Sequence, residues 1–115
     1  MKYWFLAYRD EKQWTDLSAG LRETIQIACR ASEEELRQRG FLIAAVGMQT
    51  CEAAITLRVV DGELILAQGG SLEMSGQLDR LLLIEARDLN EAIQAAVKLT
   101  QARLGHIAIL PEGIA

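Results

Sequence analysis

The only histidine of this 115-residue chain, His106, and the carboxylates Glu73, Asp79 and Glu85 are the side chains whose types suit acid–base chemistry. Two carboxylates held in different environments can separate their pKa values and divide the roles of acid and base. Of the three, Glu73 falls in a stretch punctuated by Gly69, Gly70 and Gly76, where a shaped loop could carry it over a substrate. The plainer expectation is that these carboxylates are solvated and that His106 is a structural residue. Arg58 can grip a carboxylate with two parallel N–H donors, or simply guard a strand edge against aggregation. The three glycines superficially resemble a phosphate cradle, yet no Gly-Lys-Ser/Thr follows and no helix starts behind them. One histidine cannot build a zinc site, and Cys29 and Cys51 have neither metal-ligand spacing nor the number for a disulfide framework. No cofactor or metal is expected.

Charge and hydropathy exclude several classes of partner. A net charge of −4 and a pI of about 5.0, with lysine and arginine scattered through the chain, give no basic field for a phosphate backbone, so no nucleic-acid partner is expected. The apolar runs 41–48 and 81–84 are far shorter than the ~18 residues of a membrane span, and no secretory segment precedes the cysteines. A cytoplasmic protein with reduced thiols and no membrane partner is the expectation. Half of the residues are hydrophobic and the mean hydropathy is +0.11, which is greasy for a small soluble monomer and fits an oligomer.

The elements that must position these residues follow from periodicity. Lys2 to Arg9 alternates Tyr3, Phe5 and Ala7 with Trp4, Leu6 and Tyr8, a strand apolar on both faces. Asp10 to Asp16 is polar. Ser18 then caps a helix in which Leu21, Ile25, Ala28, Cys29 and Leu36 form the apolar stripe, and Gly40 ends it. Phe41 to Met48 reads as a buried strand and 49–52 as a turn. Ile55 to Val60 and Glu63 to Ala67 flank Asp61-Gly62, the signature of a tight hairpin. Gln68 to Leu78 is expected to be a loop and Leu81 to Ala86 a strand. Asp88 and Glu91 open a second helix with the stripe Leu89, Ile93, Ala96, Val97, Thr100 and Leu104, ending at Gly105 before a last strand, His106 to Leu110, that Pro111 closes.

This order predicts one domain over residues 1–115, an α+β sandwich of ferredoxin-like character in which two helices cover one face of a mostly antiparallel sheet. The other face keeps an apolar row on each outer strand, so a homodimer that buries about 800 Å² per subunit is the expected remedy.

Several residues carry a resemblance to a known family. They are Met1-Lys2-Tyr3 with Tyr8 and Asp10-Glu11, the run Leu57-Arg58-Val59-Val60-Asp61-Gly62, Glu73 with Gln77-Leu78, Leu83-Ile84-Glu85-Ala86 before Asp88-Leu89-Asn90-Glu91-Ala92, and then Gly105 and Pro111. In order and spacing the chain resembles the YCII-related superfamily, and within it the group with an Asp-Gly-Pro-Phe motif. The resemblance implies a dimeric α+β barrel, and some members carry a proposed His-Asp pair or are thought to act alongside sigma factors. At the motif this chain reads Gln68-Gly69-Gly70-Ser71, and glutamine has no proton to exchange near neutral pH. The resulting expectation is a homodimeric module that binds a small molecule or a protein partner without catalysis, with Arg58, Gln68, Glu73 and His106 as ligand contacts. The alternative is a small enzyme that pairs His106 with Glu73 or Asp79.

Overall fold

A computed structural model describes residues 1–49, 53–68 and 77–113. The chain runs β1 (Lys2–Arg9), α1 (Glu11–Asp16), α2 (Ala19–Gln38), β2 (Leu42–Gly47), β3 (Ile55–Val60), β4 (Glu63–Gln68), β5 (Gln77–Glu85), α3 (Leu89–Val97), a 3-10 turn (Thr100–Arg103) and β6 (Gly105–Pro111). Strands β2, β5, β1 and β6 lie side by side in that order, every pairing antiparallel, and β3 and β4 form a separate two-stranded sheet. The arrangement is α+β and consistent with a ferredoxin-like fold in which the β3–β4 hairpin is inserted between the neighbouring strands β2 and β5.

Local chemistry fixes the helix ends. Ser18 Oγ accepts from the Leu21 N–H at the start of α2, and Asp88 accepts from the Glu91 N–H at the start of α3, as capping requires. Gly40, at φ +83°, takes the left-handed position that ends α2. Asp61 and Gly62 both have positive φ, the geometry of a two-residue hairpin turn. Several expectations need adjustment. The second helix ends at Val97, before a 3-10 turn, and buries Ala92, Ala95 and Ala96, while Leu89, Ile93 and Val97 of the expected stripe are exposed. Strand β2, expected to be buried, is enclosed only at Leu42 because it is the edge strand. The polar stretch after β1 is a short helix, because Asp10 accepts from the Gln13 N–H and nucleates a turn. Strand β5 begins at Gln77, four residues before the expected start, because ladder bonding to β1 continues through Leu78 and Gln77 across a bulge. Residues 69–76 of the expected loop and most of the expected 49–52 turn lie outside the described residues.

Strand parity decides where the core sits. Tyr3, Phe5 and Ala7 of β1 pair with Ile84, Leu82 and Arg80 of β5, and the apolar members pack against Leu36 of α2, Ala92, Ala95 and Ala96 of α3, and Leu99. Helices α2 and α3 thus cover one face. The alternate residues point the other way: Trp4 and Leu6 on β1, Leu81 and Leu83 on β5, Ala44 and Val46 on β2, and His106, Ala108 and Leu110 on β6. The described elements leave this face open, with Val46 50% and Leu110 52% exposed.

The stripe expected along α2 is buried only at its C-terminal end. Leu36 is fully enclosed, Ile25 and Cys29 are half-buried, and Leu21 and Ala28 are exposed, because the first half of the helix extends past the packed layer. The hairpin likewise makes its main contacts between its own two strands. Together these projections give a radius of gyration of 16.0 Å, against the ~13 Å of a compact chain this long.

Candidate functional site

Charged side chains converge where β1 ends, β5 begins and α2 passes over them. The register shift at Ala7 and Tyr8 bulges β5, and a bulge re-aims the side chains beside it. Both Asp79 and Arg80 line one cavity of about 260 Å³, with Arg9, Trp14, Cys29, Arg30, Glu33 and Gln101 also in its wall. A second cavity of about 330 Å³ adjoins it, lined by Asp10, Gln13, Trp14, Leu17 and Arg103, and the two share Arg9, Trp14 and Leu104. The Arg9 guanidinium lies 4.7 Å from the Trp14 ring centroid, a cation–π contact, so this stack is the partition between the cavities.

Each charge in the site has a specific partner. Arg80 donates to both oxygens of buried Glu33, at 2.6 and 3.0 Å, the bidentate fork that suits guanidinium and carboxylate. Gln101 Nε2 donates to the same carboxylate, while Gln101 Oε1 is buried with no hydrogen-bond partner among the described residues. Arg9 donates to Asp79 at 2.8 Å and to Glu11 at 3.3 Å. Arg30, exposed at the rim, has no ion-pair partner among the described residues.

Burial governs the proton affinities here. Asp79 is raised above the ordinary carboxylate value chiefly by desolvation, with Glu11 and Glu33 adding to the rise and Arg9 and Arg80 opposing it. The Cys29 thiol is pushed up to about 11, first by burial and then by Asp79 and Glu33. At neutral pH it is a protonated thiol and a poor nucleophile.

The sequence candidates are dispersed. Arg58 and Gln68 are exposed on β3 and β4 of the hairpin. His106 sits on the open face of the sheet, where its ring stacks on Tyr8 with centroids 4.8 Å apart and an interplanar angle of 16°. Glu73 lies outside the described residues. Asp79 faces the cavity, whose lining does not include His106, so the structure does not bring those two together. Among the described residues no cluster of three or more His, Cys, Asp or Glu could hold a metal, and no helix is long and apolar enough to cross a membrane.

Compared with known protein families, residues 1–111 match the YCII-related domain. The chain belongs to the YCII-related family. No curated protein matches it significantly. In this YCII-related chain the sequence pointed to Asp79 but not to its companions Arg9, Glu33, Arg80 and Gln101. Glu33 and Arg80 are 47 residues apart, and nothing local marks either as buried. The one available signal was Asp79-Arg80 at the entry to an otherwise apolar strand.

Proposed function

We propose that the protein is a cytoplasmic homodimer that binds a small organic molecule in the paired cavities beside Arg9 and Trp14, without catalysing a reaction. The observation that carries this reading is the state of the site's reactive groups. Asp79 is tied to Arg9, Glu33 is tied to Arg80 and Gln101, and Cys29 holds its proton, so the wall recognises rather than reacts. The combined space suits a small ligand, since pockets for such molecules start at about 300 Å³. Trp14 offers a flat apolar wall and Arg30 a guanidinium at the rim that has no ion-pair partner among the described residues.

Dimerisation is supported by the open sheet face, apolar across its middle, with Lys2 and Glu85 at one end and His106 at the other. Two copies packed face to face would bury it, and His106 on Tyr8 would become an interface residue. A second reading, in which Asp79 is a general acid or base, is favoured by its raised pKa.

Light scattering across a dilution series tests the dimer: a mass near twice 12.7 kDa is expected, and a monomer at every concentration would overturn it. Trp14 fluorescence in a Trp4→Phe background, titrated with a panel of small carboxylic acids and amides, tests the site. A saturable change that is lost in Arg80→Met is expected. No response from any member would overturn the ligand reading, and turnover of a bound member that is lost in Asp79→Asn would replace it with the enzyme.

A further inference from the structure

Cross-strand partners share a face of the hairpin, so Leu57 with Leu66 and Val59 with Leu64 point the same way, beside Ile55. Five of that face's six residues are aliphatic, each 60–68% exposed, and Gln68, opposite Ile55, closes its open end. The opposite face is mixed, with Arg58, Glu63 and Thr56 among its residues. A lone two-stranded hairpin is marginal in water, and one apolar face left wet makes it more so. The surface it needs is long, low and uncharged.

The same chain has such a surface. At 100° per residue, Gly20, Leu21, Thr24, Ile27, Ala28 and Ala31 fall on one continuous arc of the N-terminal half of α2, and all of them are exposed. The arc lies away from the helix side that lines the cavity, where Gln26, Cys29 and Arg30 sit. From Gly20 to Ala31 the arc spans ~18 Å of helix, close to the ~20 Å of the six residue pairs of the hairpin. The dominant contacts of the hairpin are internal, so its own α2 does not fill the role.

We infer that the β3–β4 hairpin is an arm that lays its aliphatic face on the N-terminal half of α2 of a second copy. A two-fold axis makes the contact reciprocal: each copy gives one arm and receives one, so this contact closes at two copies. The five aliphatic residues of the arm, each at least 60% exposed, together with Leu21 and Ile27 of the arc, would contribute to the ~800 Å² per subunit that a stable interface needs. This interface is distinct from the sheet face and adds to it.

Sedimentation equilibrium on the full chain separates the two interfaces. Leu66→Asp is expected to raise the dimer dissociation constant at least tenfold with the far-UV spectrum unchanged, since the hairpin contributes nothing to the core. Adding Ile27→Lys to Leu66→Asp should recover most of that loss by pairing charges across the contact. An unchanged dissociation constant in Leu66→Asp overturns the arm and leaves the sheet-face dimer standing. A loss that Ile27→Lys does not recover overturns the assignment to α2. If Leu83→Asp leaves the dimer intact while Leu66→Asp disrupts it, the sheet-face reading fails and the arm survives.

Discussion

Phe5 and Leu57 are both large apolar residues on central positions of antiparallel strands, yet Phe5 is fully enclosed and Leu57 is 62% exposed. The difference lies in what each strand meets. Strand β1 has a ladder on both sides and two helices above it, so alternation converts directly into burial. Strands β3 and β4 have only each other. Periodicity tells which residues share a face, and the supply of covering layers tells whether that face is dry.

Substitutions that widen this contrast come first. Phe5→Ala should cost about 4 kcal/mol in urea unfolding, the usual penalty for emptying a closed aromatic site. Leu57→Ala, measured at protein concentrations where the chain is monomeric, should change stability by less than about 0.5 kcal/mol, as exposed substitutions do. Equal losses would mean that the hairpin is part of the core after all.

The charged end of the body gives the next effect. Arg80→Met strands Glu33, whose side chain is 7% exposed, and should cost about 2–3 kcal/mol, below the full penalty for breaking a buried pair because Arg80 itself is partly solvated. Glu33→Gln together with Arg80→Met should recover part of that loss in the same unfolding assay.

Asp79 sharpens the comparison through pH. Its folded pKa is raised, so the native state binds the proton more tightly than the unfolded state does, and stability falls as pH rises from about 3.8 through the folded value. Urea unfolding of Asp79→Asn across that window should show a flatter curve than the parent. A steeper decline would reverse the assigned shift. Cys29, in the same wall, should react with iodoacetamide slowly at pH 8, with a rate that climbs toward a midpoint of about 11.

Amide exchange gives the most direct contrast. In the monomer the β3–β4 ladder should exchange orders of magnitude faster than β1 and β5, and its protection should grow with protein concentration if the arm finds a partner. Slow exchange in the monomer would show a cover from within the chain.

The sequence made the scaffold readable where pattern and caps agree: the alternation of β1, the Ser18 and Asp88 caps and the Asp61-Gly62 turn all appear in place. It missed the bulge in β5 and the half of α2 that stays exposed, because neither leaves a mark in local periodicity. The site was less legible still. Glu33, Arg80 and Gln101 come from three distant segments, and on a helix Glu33 looks like one of three consecutive solvated glutamates. Only tertiary packing distinguishes it from Glu34 and Glu35.

The hairpin joins two strands, β2 and β5, that are already hydrogen-bonded neighbours. A segment inserted there leaves the registers on either side untouched, because the chain leaves and re-enters at the same end of the sheet, where Gly47 lies opposite Arg80. Its length and composition are therefore decoupled from the folding of the sheet. Such a junction lets a single scaffold acquire different arms, and with them different quaternary forms, while the cavity beneath α2 keeps its geometry.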